Sequence, residues 1–212
     1  MQRALFFFGL LVLAGLWLGP LPRMAQHSFS AHMALHMGVV AVAAPLLALG
    51  WAGRALDPVR RWPQWFPAVP LSLVELAIVW AWHAPVLHHF ARHTVVGFVC
   101  EQGAFLGAGL LVWLSVLGGD AGLRRQRAGA GVVALLLTSM HMTLLGALLA
   151  LAPRPLYLHG AHAGVGALDP LDDQHLGGAI MLLVGGAAYL IGGVWLSADL
   201  VRSGIAKRKG LA

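Results

Sequence analysis

The sequence predicts an all-α fold, a polytopic transmembrane helix bundle of about six spans with both termini in the cytoplasm. Three observations carry that expectation. The 212 residues are 59% hydrophobic and only 10% charged, where a soluble domain of this length carries about 25% charged residues. Mean hydropathy is +0.78, and the apolar runs are too long and too numerous for the core of one globule. Each suits a helix crossing lipid, which needs roughly 20 apolar residues. Finally, the basic residues alternate between connections in the way that orients a membrane protein.

In chain order the apolar segments lie near 4–20, 29–50, 67–90, 94–117, 130–152 and 174–200, all within a single integral membrane domain, 1–212. The first, LFFFGLLVLAGLWLG after a lone Arg3, has the look of a signal peptide. It lacks a small-x-small cleavage site, so a retained helix is expected. The third is short in its apolar part, PAVPLSLVELAIVWAW, and needs the following WHAPVL to reach the interface. Breakers separate the segments at Gly19-Pro20-Leu21-Pro22, Asp57-Pro58, Gly118-Gly119-Asp120 and Pro153-Arg154-Pro155. Trp51, Trp62, Trp65, Trp80 and Trp82 fall near the expected ends, as an interfacial aromatic belt requires.

With six spans, Arg3, Arg54, Arg60, Arg61, Arg124, Arg125, Arg127, Arg202, Lys207, Arg208 and Lys209 share one side, against Arg23, Arg92 and Arg154 on the other. The richer side is cytoplasmic. The net charge of +6 is therefore a topology signal, and no basic stripe interleaved with aromatics suggests nucleic acid. A single cysteine, Cys100, excludes an internal disulfide or a CxxC motif; it reads as a packing residue.

All eleven histidines then fall in the non-cytoplasmic half or within spans. His32 and His36 lie roughly 5 and 12 Å below the outer start of the second helix, and His141 about 16 Å from the outer end of the fifth. Glu75 and Glu101 lie at comparable depth. Ionisable groups placed so are costly unless paired or facing a cavity, and they are functional candidates. His32 with His36 and Met33 with Met37 are i,i+4 pairs on adjoining stripes of one helix face. Ser139-Met140-His141-Met142 repeats the chemistry. Thioether and imidazole together favour copper, especially Cu(I), whereas imidazole alone suits zinc or iron equally. Taken singly, the methionines read as packing residues, and His27, His88, His89, His93, His159 and His162 as hydrogen-bonded interfacial groups. Asp172, Asp173 and His175 either open the sixth helix, acids suiting its dipole, or form an ion entry.

The stretches HMALHM with APLLALG, WHAPVLHH, SMHMTLLGALLALAPRPLY and DDQHLGGAIM, in that order from about residue 27 to 190, give the chain a family resemblance. It resembles the CtaG-like assembly factors of caa3-type cytochrome c oxidase. The resemblance implies a polytopic protein that helps mature a haem-copper oxidase, with copper supply the usual proposal. It also implies His32, Met33, His36, Met37, His83, His141, Asp173 and Gln174 as motif positions. Two positions differ from the usual pattern: Gln102 follows Glu101 where relatives often have His, and His175 stands where they often have Gln.

The expected function is thus a metallochaperone of a bacterial inner membrane, needing no catalytic turnover. It would bind copper toward the periplasmic side and pass it to a haem-copper oxidase subunit of the respiratory chain. His32, His36 and His141 are the expected ligands, with Met33, Met37 and Met142 as soft ligands. Glu75 and Glu101 would offset charge or orient an imidazole; His83, Asp172, Asp173 and His175 would form the mouth. Other readings of the same residues are a b-type haem protein with His36 and His141 as axial ligands, an intramembrane zinc hydrolase, and a proton or small-ion conduit through Glu75 and Glu101. The metal readings require imidazoles from different spans to face a common pocket.

Overall fold

The computed structural model describes residues 2–157 and 168–209, with side chains to residue 202. It is a bundle of helices: α1 Gln2–Leu18, α2 Phe29–Trp51, α3 Ala68–His83, α4 Pro85–His93, α5 Val95–Leu117, α6 Ala121–Ala150 and α7 Pro170–Arg202. Four of them, α2, α5, α6 and α7, are long and apolar enough to cross a membrane, and α3 with α4 passes the same test as a bent pair. At 17 residues, α1 is apolar but short of a full crossing. The all-α membrane bundle is as expected; among the described residues four or five helices qualify by length and composition, with α1 a shorter apolar helix beside them. Residues 19–28, 84–94, 151–157 and 168–169 share what we term the upper end, and 52–67 and 118–120 the lower end.

The third expected segment is broken. Pro85 disfavours helical geometry at the residue before it, and Ala84 is extended at ψ 135. The helix therefore stops at His83, and α4 turns away by 71°. It lies across the upper end instead of continuing the span. On α4, His88, Ala91 and Arg92 are buried while His89 and His93 are exposed, an i,i+3,i+4 face turned to the bundle.

Polar caps hold the helix starts. Ser28, Thr94, Asp120 and Asp169 accept from the amides of Ala31, Gly97, Leu123 and Leu171. At the lower end the Asp57 carboxylate takes the amides of Gly53, Val59 and Gly119, tying two connections together. Gly53 and Gly119 sit at φ +72 and +85, where a side chain would be strained.

Within α2, residues Gly38–Ala43 are wound as a π-helix, and Pro45 explains where one carbonyl goes. In i→i−5 register Val40 O would pair with the amide of residue 45, which proline lacks. The Trp113 indole of α5 donates to Val40 O at 3.0 Å and the Tyr189 hydroxyl of α7 approaches to 3.4 Å. A defect in one helix thereby fastens two others.

Helices α6 and α7 meet backbone to backbone. A Cβ on Gly146 would come within 2.6 Å of Leu182 N and 2.8 Å of Gly178 O, the close approach that small residues permit in membrane helices. Gly146→Val is expected to lower stability by about 1–3 kcal/mol, seen as a lower unfolding midpoint in detergent. Gly103→Val, where a Cβ meets nothing within 4 Å, should leave that midpoint unchanged.

Candidate metal centre

Four helices send histidines into the upper half of the bundle. His32 and His36 come from α2, His83 from the last turn of α3, and His88 from α4 above them; all four are buried. Ring centroids are 4.9 Å apart for His32 and His88, 5.7 Å for His32 and His83, 5.4 Å for His36 and His83, and 6.4 Å for His32 and His36. Phe105 of α5 lies 3.9 Å from His36 and forms an apolar wall. His141 of α6 is also buried and lies within electrostatic reach of His36. The imidazoles thus form a column from the upper surface into the bundle.

These rings lack the partners that buried polar groups need. Both ring nitrogens of His32, His36 and His141, and Nε2 of His83, have no hydrogen-bond partner among the described residues. His83 Nδ1 lies 2.6 Å from the Val79 carbonyl. A carbonyl only accepts, so Nδ1 carries the hydrogen and Nε2 presents a lone pair. Nitrogens of His32 and His88 and an oxygen of Glu101 lie within 4.8 Å of one another, a spacing one ion can bridge.

The roof is aromatic. Tyr157 stacks on Phe29 at 4.5 Å and sits 4.4 Å from His88. Its hydroxyl donates to the His83 carbonyl at 2.6 Å. Burial raises the Tyr157 phenol above its ordinary pKa, so it remains a neutral donor. His159 and His162 lie outside the described residues; His27, His89 and His93 are exposed.

Several expected ligands stand elsewhere. Met33 and Met37 are buried, but they pack toward α7: a Cβ on Gly177 would meet Met33 at 3.2 Å, and one on Gly185 would meet Met37 Sδ at 2.9 Å and Met142 at 3.4 Å. All three methionines belong to the hydrophobic core. Because consecutive helix positions are about 100° apart, the histidine stripe meets α3 and α5 while the methionine stripe meets α7. Met140 and Cys100 are exposed, so Cys100 is not the packing residue expected.

The carboxylates also divide. Glu75 accepts from Tyr189 at 2.6 Å and Thr138 at 3.1 Å, a network with no histidine in it rather than support for an imidazole. Asp173 accepts from the Phe29 amide at 2.6 Å, the Ser30 amide and hydroxyl at 3.2 and 2.5 Å, and the Ser28 hydroxyl at 3.0 Å. It seals the start of α2, so the expected entry role gives way to a clamp. Gln174 accepts from Leu156 N and donates to Leu149 O, and His175 Nε2 lies 2.9 Å from Ala152 O. Both fasten the end of α6. Asp172 is exposed. Glu101 alone of these acids reaches the histidines: Oε2 pairs with Arg92 and lies 3.8 Å from His32 Nδ1.

His88, Arg92, Phe105 and Tyr157 were not singled out from the sequence as parts of this site. The signal for the first two was the i,i+4 spacing of His88 and Arg92 just past the His-Ala-Pro break.

Fold and site together define a multi-pass α-helical membrane protein with a buried imidazole cluster near one end. The chain belongs to the cytochrome c oxidase caa3 assembly factor (Caa3_CtaG) family, whose model matches residues 1–203. It matches no curated protein and no solved structure. Membership makes it an assembly factor for an oxidase, with that oxidase and a membrane as its setting.

Asp173→Ala should cost about 1.5–3 kcal/mol, the range for hydrogen bonds to a charged group, measured as a lower unfolding midpoint. Metal stoichiometry at saturation should not change, because the carboxylate is committed to the α2 amides.

Proposed function

We propose that this assembly factor carries copper as Cu(I) in the imidazole column and delivers it to a haem-copper oxidase subunit. The observation that supports this reading is the set of buried ring nitrogens on His32, His36, His83 and His141 without hydrogen-bond partners among the described residues. A buried polar group left so costs about 1–3 kcal/mol, and a bound cation would recover that loss by taking the lone pairs. Imidazole suits copper and zinc. With the methionines packed toward α7, the preference for copper over zinc rests on the haem-copper oxidase as client.

On this reading the upper end faces the periplasm of a bacterial inner membrane, as the distribution of basic residues favours. The ion enters beneath Tyr157 and α4, and His88 and His32 receive it before His83 and His36. No thiolate holds it, which keeps the ligands exchangeable, as delivery requires. The protein acts by binding and release, without catalytic turnover. The group His32, His88 and Glu101 would also take zinc, so the metal retained has to be measured.

Competition against a chromogenic Cu(I) chelator tests the reading. His32→Ala, His36→Ala and His83→Ala should each weaken Cu(I) binding by about tenfold or more, the equivalent of one lost interaction of 1.4 kcal/mol. Met33→Leu and Met37→Leu should match the wild type. Equal binding by the three histidine variants and the wild type, or zinc as the sole metal retained, would overturn it.

A further inference from the structure

The one carboxylate among the histidines is already occupied by a cation of the protein's own. Arg92 of α4 is buried and forms an ion pair with Glu101 Oε2. It also donates to the Ala25 carbonyl at 3.3 Å and lies over the Phe98 ring at 5.8 Å. The same Oε2 accepts from Gln102 at 3.2 Å. The other oxygen, Oε1, is buried and has no hydrogen-bond partner among the described residues. Glu101 therefore offers one oxygen held by the guanidinium and one spare, at the point where His32 and His88 bring their nitrogens within 4.8 Å.

An arginine side chain does not give up its proton in a protein. A metal ion bound at this group must share the carboxylate with a fixed positive charge, and at low local dielectric two cations a few ångströms apart repel strongly. A bare Glu101, conversely, would be an uncompensated charge inside the bundle. The guanidinium solves the second problem by creating the first.

We propose that Arg92 is an internal competitor for the cation site of His32, His88 and Glu101. It neutralises Glu101 when the site is empty and is displaced toward the Ala25 carbonyl when the ion arrives. The bound cargo is thereby kept weak enough to hand on. This rests on the metal-carrying reading above and adds a control on affinity that the histidines alone lack.

The test is a mutant cycle in Cu(I) affinity on the full-length protein in detergent, using Arg92→Gln, Arg92→Lys, Glu101→Gln and the double variant. Arg92→Gln should bind about 10- to 100-fold more tightly than wild type, the scale of removing a like charge a few ångströms away. Arg92→Lys, which keeps the charge, should stay near wild type, and Glu101→Gln should weaken binding. In the double variant the gain from removing Arg92 should fall below tenfold, because the carboxylate for which it competes is gone and only direct repulsion of the ion is relieved. That variant also leaves no buried charge unpaired, so it reports even where Arg92→Gln fails to fold. A folded Arg92→Gln protein of unchanged or weaker affinity would sink the inference, as would a double variant that gains tenfold or more over Glu101→Gln. Absence of Cu(I) binding by wild type and every variant would instead sink the cargo reading, and this inference with it.

Discussion

A neutral imidazole held away from water, with neither nitrogen hydrogen-bonded, forfeits about 1–3 kcal/mol for each unsatisfied group. This bundle holds three such rings, His32, His36 and His141, and a fourth, His83, with one nitrogen engaged, counting partners among the described residues. Several other buried polar groups are matched. Tyr189 and Thr138 serve Glu75, Trp113 serves the Val40 carbonyl, and Ser139 serves Gly186 O. The contrast gives the histidine column its meaning. A chain that supplies a donor to a single carbonyl exposed by Pro45 leaves a run of lone pairs open where four helices meet. The rest of the upper end is arranged around that deficit: α4 folded over it, Tyr157 closing it, and one neutralised carboxylate at its edge.

Three of the buried acids, Asp173, Glu75 and Glu101, show how position, more than residue type, sets a carboxylate's work. Asp173 has four donors, three of them on Oδ1 and one on Oδ2. Glu75 has a donor on each oxygen and joins α3, α6 and α7. Glu101 has one oxygen crowded and the other bare. A site that must accept a cation needs an available acceptor, and of these three acids only Glu101 has an oxygen without a hydrogen-bond partner among the described residues. The same criterion separates the histidines from Met33, Met37 and Met142, whose side chains pack against the glycines of α7.

Much of this was legible in the residues. Six apolar runs, their breakers and the depth of His32, His36, Glu75, Glu101 and His141 gave the bundle and most of the polar groups inside it. What the residues did not give was direction. Alternate stripes on one helix look like one face until neighbouring helices are placed, and α3 and α5 on one side with α7 on the other divide His32 and His36 from Met33 and Met37. His88 was hidden for a related reason. Read as part of a straight segment ending near residue 90 it belongs to the interface; once Pro85 turns the chain by 71°, it comes to lie 4.9 Å from His32. The proline was visible, but the consequence depends on which way the bent segment falls, and the buried face of α4 decides that through Ala91 and Arg92.

The lower half of the column explains why exchange would take place from above. Beneath His36 the π-helical stretch of α2, its Val40 carbonyl, Trp113 stacked on Tyr189 at 5.1 Å, and Glu75 with Thr138 form a continuous hydrogen-bonded floor. That floor joins α2, α3, α5, α6 and α7. Opening it breaks several buried polar contacts at once, and polar groups released away from water find no substitute partners. The roof is held differently. Tyr157 donates to a carbonyl and meets the rings of Phe29 and His88, and α4 is a nine-residue helix whose buried residues are His88, Ala91 and Arg92. Local opening draws on the parts of a structure with the fewest buried contacts. In this bundle α4 is a short element that carries its own side of the Arg92–Glu101 ion pair, and on the metal-carrying reading it is the side from which a cation would reach that pair.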